Sequence, residues 1–156
     1  MRHTISVLVQ NEAGVLSKIS SLFTSRGFNI ESLTVAPTLD VAFAKITMIA
    51  IGDDKIVEQI CKQLNRLINV IKVIDVTGEN IAERELVLIK IGAKSERTLL
   101  LKTAEMFNAK IIDFNKKNCT IEIVGDENSI NSFIEMVKPL GIKELIRSGK
   151  VAISLD

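Results

Sequence analysis

Apolar residues alternate with polar ones in some segments of the chain and recur every three or four positions in others. In the first half, period-2 alternation or apolar runs predict four strands, and helical spacing predicts two helices. The predicted order is a strand over 4–10, a helix over 15–26, strands over 30–36 and 42–51, a helix that begins at Asp53 or Asp54, and a strand over 70–76. This is the βαββαβ order of the split βαβ unit.

The second half repeats that order. It predicts a strand over 85–91, a helix over 96–108, hairpin strands over 111–114 and 120–124, a helix over 128–138, and a last strand or strands within 142–155. The segment Ile51–Asp54 recurs as Val124–Glu127, 73 positions (124 − 51) further along. Apolar residues at positions i, i+3, i+4 and i+7 follow both copies, so we interpret the chain as a tandem repeat.

The predicted fold class is therefore α+β, with two ferredoxin-like βαββαβ sandwiches in tandem, each a sheet with helices on one face. We place the first domain at 1–77 and the second at 78–156. Hydrophobic residues make up 47% of the chain and charged residues 25%, which indicates folded globular domains instead of disorder.

Charge and hydropathy exclude several partners. The formal net charge is only +1, so no concentrated basic surface supports a nucleic-acid partner. The N-terminus lacks a signal-peptide pattern, and no apolar stretch approaches the roughly 20 residues that span a bilayer. We expect a cytoplasmic protein without a membrane partner.

The residues that usually carry catalysis do not form a recognisable pattern. His3 is predicted to lie at the surface without a carboxylate neighbour, and Cys61 and Cys119 to be buried apolar residues, so no metal site can be assembled. The acidic pair Asp53–Asp54 is interpreted as helix capping, and Glu83 with Glu85 as an exposed strand edge. Because no glycine-rich phosphate loop is present either, we expect a protein that is not an enzyme on its own.

The remaining candidate site is the start of the first helix. Asn11 and Gly14 precede that helix, and Gly27 and Asn29 follow it. Unpaired N–H groups and the helix dipole favour a carboxylate at the helix start, and Gly14 allows close approach to the backbone. Asn11 and Asn29 each offer a donor and an acceptor to an amino acid. The alternative is purely structural, since Asn often caps helices and Gly often ends them.

These residues also carry a resemblance to a known family. The motif consists of Asn11-Glu12-x-Gly14-x-Leu16, Phe23 and the run Arg26-Gly27-Phe28-Asn29-Ile30-Glu31-Ser32-Leu33-Thr34-Val35-Ala36-Pro37. It closely resembles the N-terminal signature of the small, regulatory subunit of acetolactate synthase. Its first half resembles an ACT domain, a βαββαβ module that binds amino acids. The resemblance extends to Glu83-Arg84-Glu85-Leu86, Ile111-Ile112-Asp113 and Arg147-Ser148-Gly149.

The resemblance implies a function in branched-chain amino-acid biosynthesis. The chain would bind and activate the catalytic subunit of acetolactate synthase and confer feedback inhibition by valine or another branched-chain amino acid. Thiamin diphosphate, Mg²⁺ and FAD would sit on the catalytic subunit, and no cofactor on this chain. Two first domains would form a homodimer that holds the effector between them. One subunit would contribute Asn11, Ala13, Gly14, Val15 and Leu16, and its neighbour Asn29 and Ile30.

The chain departs from the family pattern at two places. The segment 41–44 is atypical, and Lys45 stands where the family usually has Arg, which bears on effector identity or the subunit contact. The second domain has Gly92-Ala93-Lys94-Ser95-Glu96 where the first has its Asn-x-x-Gly turn. We therefore predict effector sites in the first domain only. The alternative function is a free-standing tandem ACT-type sensor that acts on another enzyme or regulator.

Overall fold

The computed structural model describes residues 1–78, 80–92 and 96–156. The chain divides into two compact units, one comprising Met1–Ala82 with Lys150–Asp156 and the other Glu83–Gly149. None of the helices in the described residues is long and apolar enough to cross a bilayer. The predicted domain limits of 1–77 and 78–156 stay a prediction.

The first unit contains a four-stranded antiparallel sheet and two helices. Its elements are β1 (Arg2–Gln10), α1 (Val15–Arg26), β2 (Asn29–Pro37), β3 (Phe43–Ile51), α2 (Asp54–Asn65) and β4 (Val70–Asp75). The strand order is β2-β3-β1-β4, which leaves β2 at one edge and β4 at the other. The β1–β3 pairing aligns Arg2 with Ile51 and Gln10 with Phe43, so the two strands run alongside each other over their full length.

The core of this unit follows from the two hydrophobic periods. Alternate residues of β1 point to one face, where Ile5, Val7 and Val9 are buried. The helices cover that face with residues spaced three or four apart, and these are Val15, Ile19 and Phe23 of α1 and Val57, Ile60 and Leu64 of α2. The predicted apolar positions therefore form one core between the sheet and its helices.

Local sequence signals set the ends of both helices. Gly27 ends α1 in the left-handed conformation, with φ 69°, and its N–H bonds to the last turn. Asp53 caps α2, and its carboxylate accepts a hydrogen bond of 2.9 Å from the Ile56 N–H. The expectation that Asp53 has a capping role is confirmed.

The second unit has the same architecture. Its elements are β5 (Ile81–Gly92), α3 (Arg97–Met106), β6 (Lys110–Phe114), β7 (Asn118–Gly125), α4 (Glu127–Val137), a short 3-10 turn (Lys138–Leu140) and β8 (Ile142–Ser154). The first two residues of β5 and residues 150–154 of β8 are grouped with the first unit. The strand order β6-β7-β5-β8 reproduces the order of the first sheet. Leu100 of α3 and Phe133 of α4 pack on the apolar face of the sheet. The predicted α+β tandem of βαββαβ units is confirmed, and its last strand is continuous.

Candidate functional site

The start of α1 presents main-chain donors without a capping side chain. Gly14 occupies the N-cap position with φ 86° and ψ −6°, and a Cβ placed there would meet no atom within 4 Å. Within the described part of the chain, no side chain caps this helix, and its first turn has no acidic residue. The Val15 N–H donates to the Glu12 carbonyl at 3.4 Å. The other N–H groups of the first turn, at the positive end of the helix dipole, can donate to an external carboxylate.

Asn11 is fixed beside this helix start by the loop between β2 and β3. Its main-chain N–H donates to the Ala42 carbonyl at 2.8 Å. Its side-chain Nδ2 donates to the Val41 carbonyl at 2.9 Å. An Asn amide has a second N–H and an oxygen acceptor, so the fixed side chain retains one donor and one acceptor for a ligand.

The other predicted residues of this segment differ in exposure. Ala13 and Gly14 are exposed, and Leu16 is 42% exposed, so all three can contact a bound molecule. Val15 is only 5% exposed because its side chain belongs to the core of the unit. We therefore expect Val15 to contribute its main chain and Leu16 an apolar side chain.

Asn29 and Ile30 lie at the opposite end of the sheet. Asn29 begins β2 opposite Ile51, the last residue of β3. Asn11 follows Gln10, which is opposite Phe43, the first residue of β3. A strand of nine residues extends over about 26 Å at roughly 3.3 Å per residue. One chain therefore cannot place both asparagines on the same small molecule.

Sequence reasoning missed Asn69, which lies next to the Asn11 segment. Asn69 is 8% exposed, in the turn between α2 and β4. Its Nδ2 donates to Gln10 Oε1 and to Glu12 Oε2, each at 3.0 Å, and its Oδ1 accepts from Lys18 Nζ at 2.9 Å. All three partners lie more than 50 positions away in sequence. No local motif could therefore indicate the contact.

The expectation that His3 is a surface residue without a carboxylate neighbour was wrong. His3 is 3% exposed because it lies on the helix-covered face of β1. Its Nδ1 is 3.3 Å from Asp75 Oδ2, and its Nε2 is 3.6 Å from Asp54 Oδ1. Neither contact could be predicted from the sequence, because Asp54 and Asp75 approach His3 only when α2 and β4 pack in the folded unit.

The expectation that Glu85 lies on an exposed strand edge was also wrong. Its side chain is 5% exposed, and Arg147 Nη1 lies 3.5 Å from its Oε2. Arg147 Nη2 also donates to Asn131 Oδ1 at 3.4 Å. The burial of Glu85 depends on a strand more than 60 positions away, which explains why an alternation pattern could not reveal it.

Both cysteines are free thiols in apolar surroundings. Cys119 is fully buried, as predicted, whereas Cys61 is only partly buried. Burial raises the pKa of the Cys119 thiol, and the charge of Asp113 raises it further. Burial followed by the charge of Asp75 raises the pKa of the Cys61 thiol. Across residues 1–78, 80–92 and 96–156, no three His, Cys, Asp or Glu side chains form a metal-binding group.

Comparisons with known proteins cover both units. Residues 5–72 match the family described as the AHAS small subunit-like ACT domain, and residues 84–156 match the family described as the small subunit of acetolactate synthase. The chain is 47% identical to a probable acetolactate synthase small subunit of Archaeoglobus fulgidus, over 98% of this chain and 96% of that protein. The chain belongs to the acetolactate synthase small-subunit family.

Two further relatives agree with this assignment. The acetolactate synthase small subunit of Aquifex aeolicus is 46% identical over 97% of this chain and 80% of that protein. The crystal structure of the acetolactate synthase small subunit from Thermotoga maritima superposes with a TM-score of 0.91 at 36% identity, covering 98% of this chain and 96% of that one. The resemblance inferred from the Asn11–Pro37 motifs is thereby confirmed, and the first unit is an ACT domain.

The two departures from the small-subunit pattern have different outcomes. Lys45 is exposed in β3, opposite Leu8 of β1 and Ala36 of β2, near the end of the sheet that carries Asn11. Its side chain therefore lies on the surface, where a change from Arg leaves the core intact. The second-domain turn at 92–96 includes Ala93, Lys94 and Ser95, which lie outside the described residues.

Proposed function

We propose that this chain is the regulatory subunit that activates the catalytic subunit of acetolactate synthase and makes it sensitive to valine or a related branched-chain amino acid. The effector binds in a site that two first units share in a homodimer. The chemistry belongs to the catalytic subunit, which carries thiamin diphosphate, Mg²⁺ and FAD. This chain binds the branched-chain amino acid, which is the end product of the biosynthesis.

The observation that carries the proposal is the separation of the two halves of the site. Asn11 and Gly14 lie at one end of the sheet and Asn29 at the other. Strand β2 is at the edge of the sheet, where its outer main-chain groups can pair with another strand. Antiparallel pairing of β2 with β2 of a second copy brings Asn29 of one copy towards Pro37, and hence towards the Asn11 end, of the other.

The chemistry of the assembled site suits a small zwitterion. The effector carboxylate binds the N–H groups at the start of α1, next to Gly14. The effector ammonium group binds the Asn11 oxygen and the Asn29 oxygen of the second copy. Leu16 provides an exposed apolar contact for the branched side chain. Two sites per dimer result, because a two-fold axis generates each contact twice.

Calorimetric titration tests the effector class. Valine, leucine and isoleucine are each added to the purified chain, with alanine and glutamate as controls for an unbranched and an acidic amino acid. We expect saturable binding of at least one branched-chain amino acid, with one molecule bound per chain. Equal or absent heats for all five amino acids would contradict the proposed site.

A mixed-dimer experiment tests whether the site is shared. Chains with Gly14→Asp and chains with Asn29→Ala are each expected to lose effector binding. After subunit exchange, half of the dimers are mixed, and each contains one site built from two unaltered halves, so about one quarter of the sites recover. If each chain held a complete site, no binding would return on mixing.

Reconstitution tests the partner. Adding this chain to the acetolactate synthase catalytic subunit of the same organism should raise its turnover and make it sensitive to the amino acid that binds in calorimetry. The Gly14→Asp chain should still raise turnover and confer no sensitivity. Unchanged turnover with the parent chain would instead favour a free-standing sensor that acts on another protein.

A further inference from the structure

Asn69 connects three parts of the first unit. It lies in the turn between α2 and β4, and its main-chain carbonyl accepts a 2.8 Å hydrogen bond from the Gln10 N–H. Its side chain bonds to Gln10 and Glu12 on one side and to Lys18 of α1 on the other. Both Nδ2 hydrogens are donated and Oδ1 accepts, so this buried amide uses its donors fully.

The partners of Asn69 surround the predicted effector segment. Gln10 and Glu12 precede and follow Asn11, and Lys18 lies on the first turns of α1, just after Gly14. The β2–β3 loop fixes Asn11 itself through Val41 and Ala42. The connection between β1 and α1 is therefore bonded both to the β2–β3 loop, through Asn11, and to the α2–β4 turn, through Asn69.

We propose that Asn69 is a positioning residue for effector binding, which acts by holding the Gln10–Gly14 connection in the geometry that the ligand requires. This inference rests on the proposed function, because it concerns the affinity of the same site. A short connection that includes Gly14, in the left-handed conformation, has considerable freedom when its neighbours are released. Restricting that freedom before binding lowers the entropy that the ligand must remove.

Removing the side-chain bonds should affect affinity more than folding. In Asn69→Leu the side chain keeps a similar size but forms no hydrogen bonds. Glu12 and Lys18 are exposed and Gln10 is partly exposed, so water can replace the lost partner at each of them. We expect the dissociation constant for the effector to rise about tenfold or more, while the denaturation midpoint and the activation of the catalytic subunit stay close to those of the parent chain.

A conservative variant separates positioning from packing. Asn69→Asp keeps the acceptor for Lys18 and adds charge to that bond. The Gln10 amide can rotate to donate to the second carboxylate oxygen, but the bond to Glu12 is lost and the two carboxylates repel each other. We therefore expect this variant to bind the effector more tightly than Asn69→Leu and more weakly than the parent chain. The matched control is Ile68→Ala, which changes a 93% exposed neighbour in the same turn and should leave affinity unchanged.

Calorimetric titrations of the parent chain and its variants with valine, leucine and isoleucine test this inference. A parent chain that binds none of them would overturn the proposed function and this inference together. A parent chain that binds, with equal binding by Asn69→Leu, would overturn the inference alone, as would an Asp variant as weak as the Leu variant. If Asn69→Leu fails to fold, Lys18→Met removes one bond from the surface, and unchanged affinity in that variant overturns the inference.

Discussion

At the residue scale, Gly14 meets two separate requirements. Its φ of 86° lies in the left-handed region, where a residue with a Cβ is strained, and its position at the start of α1 leaves room for a ligand. Substitutions there can therefore lower stability, effector affinity or both. A useful experiment has to measure the two quantities separately.

Gly14→Asp should abolish effector binding with a modest loss of stability. The new carboxylate would lie at the positive end of α1 and repel the carboxylate of the effector. A Cβ at this position meets no atom within 4 Å, so the main cost of folding is the backbone strain, about 1 kcal/mol. Calorimetry with valine measures the first effect and urea unfolding measures the second.

The control for this prediction is Gly141→Asp in the second unit. Gly141 has φ 88° and equally open surroundings, so the substitution also places a Cβ on a left-handed backbone, away from the proposed site. This variant should lose a similar amount of stability and retain effector binding. Normal valine affinity in Gly14→Asp would refute the assignment of the carboxylate to the start of α1.

The limits of sequence reasoning are also clearest at single residues. The start of α1, with Asn11 and Gly14, can be predicted because these residues and the helical periodicity that follows lie within a few positions of each other. His3, Glu85 and Asn69 were misjudged or missed because each is buried by partners more than 50 positions away. Periodicity predicts which face of a helix or strand a residue occupies. It cannot predict which distant polar group will pair with a buried polar side chain, because tertiary contacts bring the two together.

At the scale of elements, the chain uses the same strand–cap–helix unit twice. Asp53 caps α2 through the Ile56 N–H, and Asp126 caps α4 through the Ser129 N–H at 2.8 Å. Each Asp follows a Gly, which is Gly52 directly after β3 and Gly125 as the last residue of β7. The helix starts and the βαββαβ order could be predicted because these signals are local. Pairing register and the continuity of β8 depend on neighbouring strands, and the sequence left them open.

The Asp126 cap predicts a pH dependence of stability in the second unit. Hydrogen bonds from the Ser129 main chain and side chain hold the pKa of the Asp126 carboxyl below its usual range. Because the folded-state pKa is the lower one, the stabilisation is present above the unfolded-state pKa and is lost as pH falls through the folded-state pKa. Asn is about as effective as Asp at a helix N-cap, but its side chain does not ionise. Asp126→Asn should therefore reduce the fall in the urea midpoint between about pH 6 and about pH 2; an unchanged fall would contradict this.

The glycines before the two caps should respond differently to the same substitution. A Cβ on Gly52 would lie 2.8 Å from Cγ2 and 3.0 Å from Cβ of Ile56, whereas a Cβ on Gly125 would lie 3.4 Å from Ser129 Cβ. Gly52→Ala must displace Ile56 and should destabilise the first unit by about 1–3 kcal/mol. Gly125→Ala is the matched control and should cost much less. Equal losses in urea unfolding would show that the helix adjusts freely at both places.

At the scale of the whole molecule, two copies of one topology have different helix starts. The first helix of the first unit follows Gly14, its N-cap, three residues after Asn11. The first helix of the second unit follows Glu96, which makes no side-chain cap bond. Only the first copy has the Asn-x-x-Gly arrangement. The same βαββαβ scaffold therefore occurs twice, whereas the proposed effector chemistry depends on residues that only the first copy contains.

A site shared between subunits makes effector binding and dimerisation interdependent. If the effector binds only the dimer, it must stabilise the dimer by the same free energy by which dimerisation improves its binding. At an effector concentration about 100 times the dissociation constant, each occupied site should contribute about 2.7 kcal/mol to dimer stability. Sedimentation of diluted protein with and without valine, or whichever branched-chain amino acid binds, should show the monomer fraction falling as the effector is added.

Two variants serve as controls for this shift in the monomer fraction. Without effector, Gly14→Asp should dimerise as the parent does, and adding effector should not change its monomer fraction. Gly141→Asp should respond to the effector as the parent does. A dimer constant independent of effector, in a chain that binds it, would place the site within one subunit.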